Sequence, residues 1–546
     1  VVKVQDENRN PVAEQTITFA ATNGGGVVSE ASATTDAQGM AQTRATLGPE
    51  PGTHKFTATL DSRSVTFFAS ALPIQIPPFP FTRMVPHIAI GGGFLTQIAI
   101  VNLAEEENPI QINILSQAGD IVRTETNTLQ PSGRADVSTG EADRLGELTT
   151  EWAIVGSELP VGVSVFFDVR LPGSETPGTA AGVSATKSLR TIRLPFAFAQ
   201  AGQAQTATLT LGLALSNLSG KPSVINLDLL NVMGEVVVPD SFTLAPFGQS
   251  AFVLAERPSF DAFLRDQHLF FGSVAIKASE PISVIGVGSE SGQFFAVPHF
   301  SQAVSCFLAP LFPPQPTIIP HIAEGGGWAT QISITNLCTG ENPVRIEVFD
   351  QAGTLVGSFL GSDTTLLPRG TAVFSSPEGE RFGALPMGPR WARFTSNLPI
   401  GVQVLLDFKS ASSEAPTSAV GASENPPSTH FALPVAFAPA ATGQSAVLTV
   451  GLALANVSDS TNDILLKLVD LLGRVVAEES SISLPPQGQA AVLVSNLPAF
   501  NAFLKSQPEF SGTLFVIASQ PVSPFGVGFF GSAFAIPAFA IPNGGQ

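Results

Sequence analysis

Apolar and polar residues alternate in short runs along most of this chain, and one arrangement of these runs is repeated. In residues 96–133 one run ends at Asn102, the next opens with Ile110, and a turn closes at Gly119. Such alternation predicts half-buried β-strands. The grid recurs three times with the same asparagine-to-glycine spacing of 17 residues, at Asn217 and Gly234, Asn336 and Gly353, and Asn456 and Gly473.

The repeat length sets the fold class. The four asparagines lie 115, 119 and 120 residues apart, which is the size of one β-sandwich. We predict an all-β chain, a tandem array of five Ig-like β-sandwich domains joined by Pro-rich linkers. The predicted boundaries are an N-terminal domain at 1–72, a linker at 73–85, sandwich units at 86–190 and 191–303, a second linker at 304–319, and units at 320–430 and 431–546, the last with a strand-like tail.

Punctuation by proline and glycine supports this division. Each repeat opens with an apolar residue followed by proline, and proline is tolerated at strand starts and sheet edges. Units one and three share a glycine triplet after this step. Units two and four instead share a short helical pattern, PSFDAFLRDQ and PAFNAFLKSQ. The opening steps are Val85-Pro86, Leu194-Pro195, Ile319-Pro320 and Leu433-Pro434.

The first domain has a different pattern. Its strands and turns read VQDENRNPVAEQTITF, TTDAQGMAQTRATL, PGTHKFTATL and SVTFFASA. This order resembles the bacterial Ig-like domain, group 1, of invasin-type and intimin-type surface proteins. The resemblance implies a β-sandwich with one more strand before the position of Val1, so that an edge here would lack its partner. The remainder resembles only generic secreted bacterial β-sandwich repeats.

Charge and composition narrow the partners and the location. The chain has 44 acidic and 26 basic residues, a formal net charge of −18. An acidic chain repels phosphate backbones, so we expect no nucleic-acid partner. Proline or glycine interrupts every apolar stretch before 18 residues, so we expect no membrane span. We expect a secreted protein, extracellular or at the cell surface.

The two cysteines, Cys306 and Cys338, leave two readings open. They lie 32 residues apart. They are either two unrelated buried thiols or a disulfide that ties the linker to the third unit in an oxidising compartment.

Residues that could carry chemistry do not form a site in the sequence. The glycine triplets lack the lysine and the helix of a phosphate loop. His87, His321 and His299 have no partners at metal-ligand spacing. Asp168 and Asp407 are two copies of one strand position. We therefore expect no catalytic residue, cofactor or metal, and no enzymatic activity.

Two polar features have structural explanations. The acidic run at residues 105–107 could bind calcium, but the other copies do not repeat it, and we interpret it as a solvated loop. The repeated asparagines could bind a ligand. We interpret them instead as caps of their own turns, because an asparagine side chain readily bonds nearby backbone.

The chain ends suggest an assembly site. The family resemblance implies that a strand is missing before Val1, and we expect Val1, Val2 and Val4 to take part in the contact at that end. The tail SAFAIPAFAIPNGGQ is an extended apolar segment. We predict that the tail fills the N-terminal domain of the next molecule and so builds a head-to-tail filament by β-strand addition. The alternatives are a monomeric surface adhesin or stalk that binds sugar or protein on a host-cell or matrix surface, and a non-catalytic region of a larger secreted protein. The tail residues expected in the contact are Phe534, Ile536, Phe539 and Ile541.

Overall fold

Strands form nearly all of the regular structure in the computed structural model, which confirms the predicted tandem array of Ig-like β-sandwiches. The structure describes residues 1–48, 52–71, 79–170, 178–200, 209–301, 316–357, 360, 363–377, 381–382, 388–413, 415–438 and 448–542.

The N-terminal domain has one four-stranded sheet, in the order β4-β2-β7-β8, and two short ribbons, β1-β5 and β3-β6. Its small core consists of Ile17, Phe19, Ala41 and Ala58. The strands are β1 (Val2–Lys3), β2 (Thr16–Asn23), β3 (Val27–Val28), β4 (Ser32–Thr34), β5 (Met40–Ala41), β6 (Ala45–Thr46), β7 (Gly52–Leu60) and β8 (Arg63–Ala71).

The first sandwich unit packs the sheet β12-β11-β14-β9 on the sheet β13-β10-β15-β16. Ile110, Ile112 and Ile114 alternate along β11 and are all buried in the core between the sheets, as the period of two requires. A 3-10 turn covers Glu141–Leu145. The strands are β9 (Phe81–Ile90), β10 (Phe94–Asn102), β11 (Asn108–Ser116), β12 (Ile121–Leu129), β13 (Arg134–Ser138), β14 (Thr149–Ser157), β15 (Val161–Val169) and β16 (Thr179–Ser184).

The second unit repeats this topology, but one 22-residue strand, β22, replaces two strands and runs through both sheets. Pro258 begins the short helix α1 (Pro258–Leu264), a position where its missing N–H costs nothing. A 3-10 turn, Leu254–Glu256, precedes the helix. The strands are β17 (Leu189–Ala199), β18 (Leu209–Asn217), β19 (Ser223–Asn231), β20 (Val236–Leu244), β21 (Gln249–Val253), β22 (Leu269–Glu290), β23 (Gln293–Val297) and β24 (Phe300–Ser301).

The third and fourth units repeat the first and second, as the shared motifs predicted. The third has the strands β25 (Thr317–Ile322), β26 (Trp328–Asn336), β27 (Asn342–Phe349), β28 (Thr364–Leu366), β29 (Thr371–Ser375), β30 (Arg390–Ser396), β31 (Ile400–Phe408) and β32 (Ser418–Ser423). The fourth has β33 (Ser428–Phe437), β34 (Thr449–Asn456), β35 (Asn462–Asp470), β36 (Val475–Leu484), β37 (Gln489–Leu493), a 3-10 turn (Val494–Asn496), α2 (Pro498–Leu504), β38 (Phe510–Phe530), β39 (Ser532–Ile536) and β40 (Phe539–Ala540).

The units begin a few residues before the predicted boundaries. Strand β9 starts at Phe81, inside the linker predicted at 73–85, and β25 starts at Thr317, inside the linker predicted at 304–319. Likewise β17 and β33 start before residues 191 and 431. Pro86 does not mark a strand start, because it lies within β9 at a register shift opposite Trp152. A bulge at a sheet edge leaves the missing proline N–H without consequence.

The repeated asparagines are caps, as predicted. Asn102 is fully buried, and its Nδ2 donates to the carbonyls of Glu106 and Gln130, at 2.8 and 2.9 Å, while its Oδ1 accepts from Ala104 N. One side chain thus joins its own loop to the next turn of the sandwich. Asn217, Asn336 and Asn456 repeat both carbonyl contacts.

The four sandwich units close on one another through a repeated backbone contact. In unit two, Gln249 N donates to Gln117 O of unit one at 2.9 Å. The same bond recurs at all four junctions: a backbone N–H of one unit donates to a carbonyl in the turn that ends at the repeat glycine of the neighbouring unit. We call this bond the turn contact. The other three pairs are Thr371 N to Val232 O, Gln489 N to Gln351 O, and Arg134 N to Leu471 O.

The last of these pairs joins the fourth unit to the first, so the sandwiches form a closed ring rather than an open string. Arg134 adds two further bonds across the same interface, from Nη1 to the carbonyls of Val435 and Gly512, at 3.0 and 2.6 Å. The strands β16, β23, β32 and β39 pack together where the four units meet.

We predict that Asn217→Ala lowers the stability of the second unit by about 3 kcal/mol, because it removes the partner of two partly buried carbonyls and one N–H, at about 1 kcal/mol each. Differential scanning calorimetry would measure the loss. The matched control is Asn226→Ala on the exposed face of β19, which should change stability by less than about 0.5 kcal/mol. Equal effects of the two substitutions would contradict the capping role.

Candidate assembly site

The tail is part of the fourth unit. Residues 532–536 form β39, which pairs antiparallel with β38 from Phe530 to Gly526. Phe539 and Ala540 form β40, which pairs with Ala432 and Phe431 of β33. Ile536 is 5% exposed and lies in the core of the unit. The expectation of a spare strand at the chain end is therefore wrong for residues 532–536 and 539–541, since their backbone already has partners. Residues 543–546 lie outside the described residues.

The tail also contacts the first sandwich unit. The ring of Phe534 meets the edge of Phe166, with centroids 5.8 Å apart. Phe539 lies over Gly162 so closely that a Cβ there would stand 2.3 Å from its Cδ2. Ile541 packs in a cluster that contains Val101 of the first unit. Three of the predicted tail residues, Phe534, Phe539 and Ile541, thus contact the first sandwich unit of the same chain.

The second unit makes the equivalent contact with the third, a phenylalanine ring packed over a glycine. Phe300, in β24, lies over Gly401 of the third unit, and a Cβ on that glycine would again stand 2.3 Å from Cδ2. The sequence signal was present, because VPHFS at residues 297–301 aligns with IPAFA at 536–540. The tail is thus the fourth unit's copy of a repeated closing segment.

The N-terminal residues also have partners. Val2 and Lys3 pair with Ala41 and Met40, and Val2 and Val4 pack on the small core. Val1 is 63% exposed.

The core-facing side of this domain is nevertheless open at β8. Val65 and Phe67 stand opposite Ala58 and Phe56 in the sheet, yet they are 53% and 44% exposed, while Ala58 and Phe56 are buried. Apolar side chains that face the interior and remain exposed mark an uncovered part of the sandwich.

Of the two cysteines, Cys338 lies within the described residues. Cys338 is fully buried and disulfide-bonded. The sequence has one other cysteine, Cys306, which lies outside the described residues. Of the two readings left open, the disulfide is the one present at Cys338.

The carboxylates considered as general acids are held in ion pairs. Asp168 binds Arg144, which also donates to the carbonyl of Gly93 in the glycine loop. Asp407 binds Arg381 in the same way in the third unit. Both arginines are buried. These pairs fasten the loops to the sheet, which is a structural role for the carboxylates.

The histidines predicted as packed rings lie between the units. The Nδ1 atoms of His87 and His321 accept hydrogen bonds from Nε2 of Gln249 and Gln489 of the next unit. Burial lowers the pKa of His87, His299 and His321 from 6.5 to about 4 in each case. All three are therefore neutral at physiological pH. Among the described residues no group of three or more His, Cys, Asp or Glu side chains could hold a metal ion.

Comparisons with known proteins bear on the first domain. Residues 1–69 match the family model described as bacterial Ig-like domain (group 1). The N-terminal segment thus has the family expected from its strands. The Ig-like domain covers the small sheet and its two ribbons. A comparison with curated proteins gives no match.

Two solved structures align with the whole chain at low similarity. They are trypsin-activated alpha-2-macroglobulin from Escherichia coli and the native conformation of the same protein, at 10% and 11% identity and TM-scores of 0.11 and 0.13. The alignments cover 95% and 100% of this chain, which spans less than half of those chains, 45% and 44%. At these scores they carry no structural argument. None of the helices in the described ranges has the length and apolar character needed to span a bilayer.

We predict that Gly473→Ala opens the contact between the fourth and first units. Gly473 has φ +81° and a Cβ there would stand 2.0 Å from Pro131 O. The control is Gly292→Ala, because Gly292 has the same φ of +81° but no atom within 4 Å of an added Cβ. Both variants suffer the backbone strain of about 1–2 kcal/mol. Only the first should increase hydrogen exchange in β13 and β40, and equal exchange there would contradict the contact.

We predict that the protein loses stability as the pH falls from 6.5 to 4. The unfolded chain protonates its histidines near pH 6.5, whereas His87, His299 and His321 stay neutral in the folded state until about pH 4. Stability from this source is thus fully present above pH 6.5 and lost below it, by at most about 3 kcal/mol per histidine. His321→Gln should flatten the dependence of the unfolding temperature on pH, and an unchanged slope would contradict the assignment.

Proposed function

We propose that this protein is a non-catalytic structural protein of the bacterial surface, a stalk or adhesin that works as a single chain. Its Ig-like domain is the kind found in bacterial surface proteins. Its four sandwich units form one closed body. A sugar or a protein on a host-cell or matrix surface is the partner class that such a body would meet.

The observation that carries the proposal is the place of the tail. Phe534, Phe539 and Ile541 contact the first sandwich unit, and Arg134 of that unit donates to the backbone of the fourth. The tail is thereby used in a contact within the molecule. A ring that closes inside one chain presents no free copy of this interface to a second molecule.

The lack of enzymatic activity is part of the proposal, and the polar groups support it. Asp168 and Asp407 are neutralised by buried arginines. His87 and His321 lie between sandwich units and are hydrogen-bonded to glutamines. Each of these four side chains has a partner that fixes it within the fold, whereas a general acid or base has to reach a substrate.

The extracellular location has two supports. Bacterial Ig-like domains of this group are typical of surface proteins. In addition, Cys338 is disulfide-bonded, and disulfides persist mainly in oxidising compartments outside the cytosol. The same body would serve as the non-catalytic region of a longer secreted protein.

The exposed Val65 and Phe67 favour a second candidate function, filament assembly with the Ig-like domain as acceptor of a strand. The donor expected from the sequence is the tail. To act as donor, the tail would have to leave β38 and β33 and expose Ile536 and Phe539, each worth about 2 kcal/mol of burial. This cost makes the single-chain function the better supported one.

We predict that the purified protein is a monomer of 56.7 kDa and that deletion of residues 532–546 destabilises it. Without the tail, β38 loses an edge partner and the contact between the fourth and first units loses Phe539. Mass photometry and negative-stain electron microscopy would measure the assembly state, and calorimetry the stability.

The filament function gives the opposite result for the same pair of samples. It requires fibres of the intact protein that disperse into monomers on deletion of the tail. The variant Val2→Ser with Val4→Ser, at the other end of the filament contact, is the control: it should also disperse such fibres, but it should leave the monomer's ring unchanged.

A further inference from the structure

A cavity of about 350 Å³ lies between the third and fourth sandwich units. Its size is within the range of small-molecule sites. The third unit contributes one wall, which includes Trp328, Leu406 and His321. The fourth contributes the other, which includes Phe525 and Phe529.

The walls are mainly apolar and aromatic. Phe525 stacks on the imidazole of His321, with centroids 6.1 Å apart and the rings at 19°. Trp328 packs on Phe408 at 5.2 Å. At the mouth, Leu493 is 41% exposed, so the cavity is open to solvent beside a leucine.

His321 supplies a directed polar group to this wall. Gln489 Nε2 lies 3.2 Å from His321 Nδ1 and 2.6 Å from Pro320 O. An amide N–H that donates to Nδ1 leaves the proton of the neutral ring on Nε2. The wall therefore offers one N–H donor among aromatic surfaces. Glu324 also lines the cavity, with its charge paired to Arg390 at 2.8 Å.

The equivalent interface between the first and second units contains phenyl rings at two positions where the interface around this cavity has smaller side chains. There Phe294 stacks on Phe94, with centroids 6.0 Å apart at 15°, and Phe167 packs on His87 at 5.6 Å. Matching strand registers place Trp328 at the position of Phe94, Leu406 at that of Phe167 and Ala533 at that of Phe294.

A hydrogen bond confirms the last equivalence. Phe294 N donates to Thr179 Oγ1, and Ala533 N donates to Ser418 Oγ, at the same point of the two interfaces. Two phenyl rings of the first interface are thus absent from the second. The interface between the third and fourth units instead has two other rings, Phe525 and Phe529. They belong to the fourth unit and hold the positions of Ile285 and Ser289 in the second.

We propose that this cavity binds a small uncharged aromatic molecule, whose ring takes the place that phenylalanine rings hold in the sister interface and packs on Trp328 and the phenyl groups of the fourth unit. An acceptor atom on the ligand receives the N–H of His321. A charged ligand is disfavoured, because the cavity walls would remove its hydration without supplying a counter-charge. This site is independent of whether the protein works as a single chain or in a filament.

The test uses the full chain and the uncharged dye N-phenyl-1-naphthylamine, whose emission increases in apolar sites. Trp328 is the one tryptophan of three that is not fully buried. We expect saturable dye emission together with energy transfer from tryptophan. No increase in emission up to the solubility limit of the dye would overturn the proposal.

The decisive variant introduces the two phenylalanines found at the equivalent positions of the interface between the first and second units. Leu406→Phe with Ala533→Phe should weaken dye binding at least tenfold. The control is Leu472→Phe, at a leucine that is 59% exposed, which should leave binding unchanged. Equal dye affinity for the filled variant and the native protein would overturn the proposal.

A second variant locates the dye even if the filled variant folds poorly. Trp328→Phe installs the residue of the first unit and keeps an aromatic wall. It should retain dye emission within about threefold of the native protein but clearly reduce the energy transfer, because Trp328 lines the cavity. The remaining transfer comes from Trp391, which donates from Nε1 to Gln487 O of the fourth unit and so lies at the same interface. Transfer that persists unchanged would place the dye at another site and overturn the proposal.

Discussion

The turn contact is the interaction on which the architecture depends. A single backbone N–H from one sandwich reaches a carbonyl in the turn of the preceding one, as Gln249 does with Gln117, and this happens four times in the same direction. Contacts of this head-to-tail kind build either a ring or an open helix, depending on the rotation between neighbours. Here the fourth contact, from Arg134 to Leu471, joins the fourth unit to the first. The surfaces that could bind a further unit are therefore buried within the ring.

The turn contact requires two features of the sandwich itself. The turn must end in a glycine, since Gly473 has positive φ and touches a neighbouring carbonyl with no space for a Cβ. The turn just before the N–H donor must also be held in place, and the buried asparagines do this by binding the carbonyl at its start, as Asn102 binds Gln130 ahead of the donor Arg134. In the 17-residue repeat spacing, the asparagine thus holds turns within a unit, and the glycine allows close contact between neighbouring units.

Much of the fold was predictable because its determinants are side chains with a local effect. Alternating apolar and polar residues predicted the strands, and the asparagines predicted the turn caps. The stretches PSFDAFL and PAFNAFL, each opened by a proline, predicted α1 and α2. The ring was not predictable in this way, because the atoms that close it are backbone N–H and C=O groups, which every residue has. The tail was misread for a related reason: an apolar segment with proline opens a unit at Pro86 and closes one at Phe539, and only the match to VPHFS at residues 297–301 distinguishes the two.

The closing bond joins distant parts of the chain: Arg134 and Gly512 are separated by 378 residues. A polypeptide that emerges from the ribosome or an export channel with its amino end first will therefore finish its first sandwich long before that sandwich meets its last neighbour. Until then the side chains around Gly162 and Val101 remain uncovered, and non-local contacts of this length form late. The interval between synthesis of the first and last units is thus the period in which this protein is most exposed to misassembly, and helper proteins that shield apolar surface would have their greatest effect there.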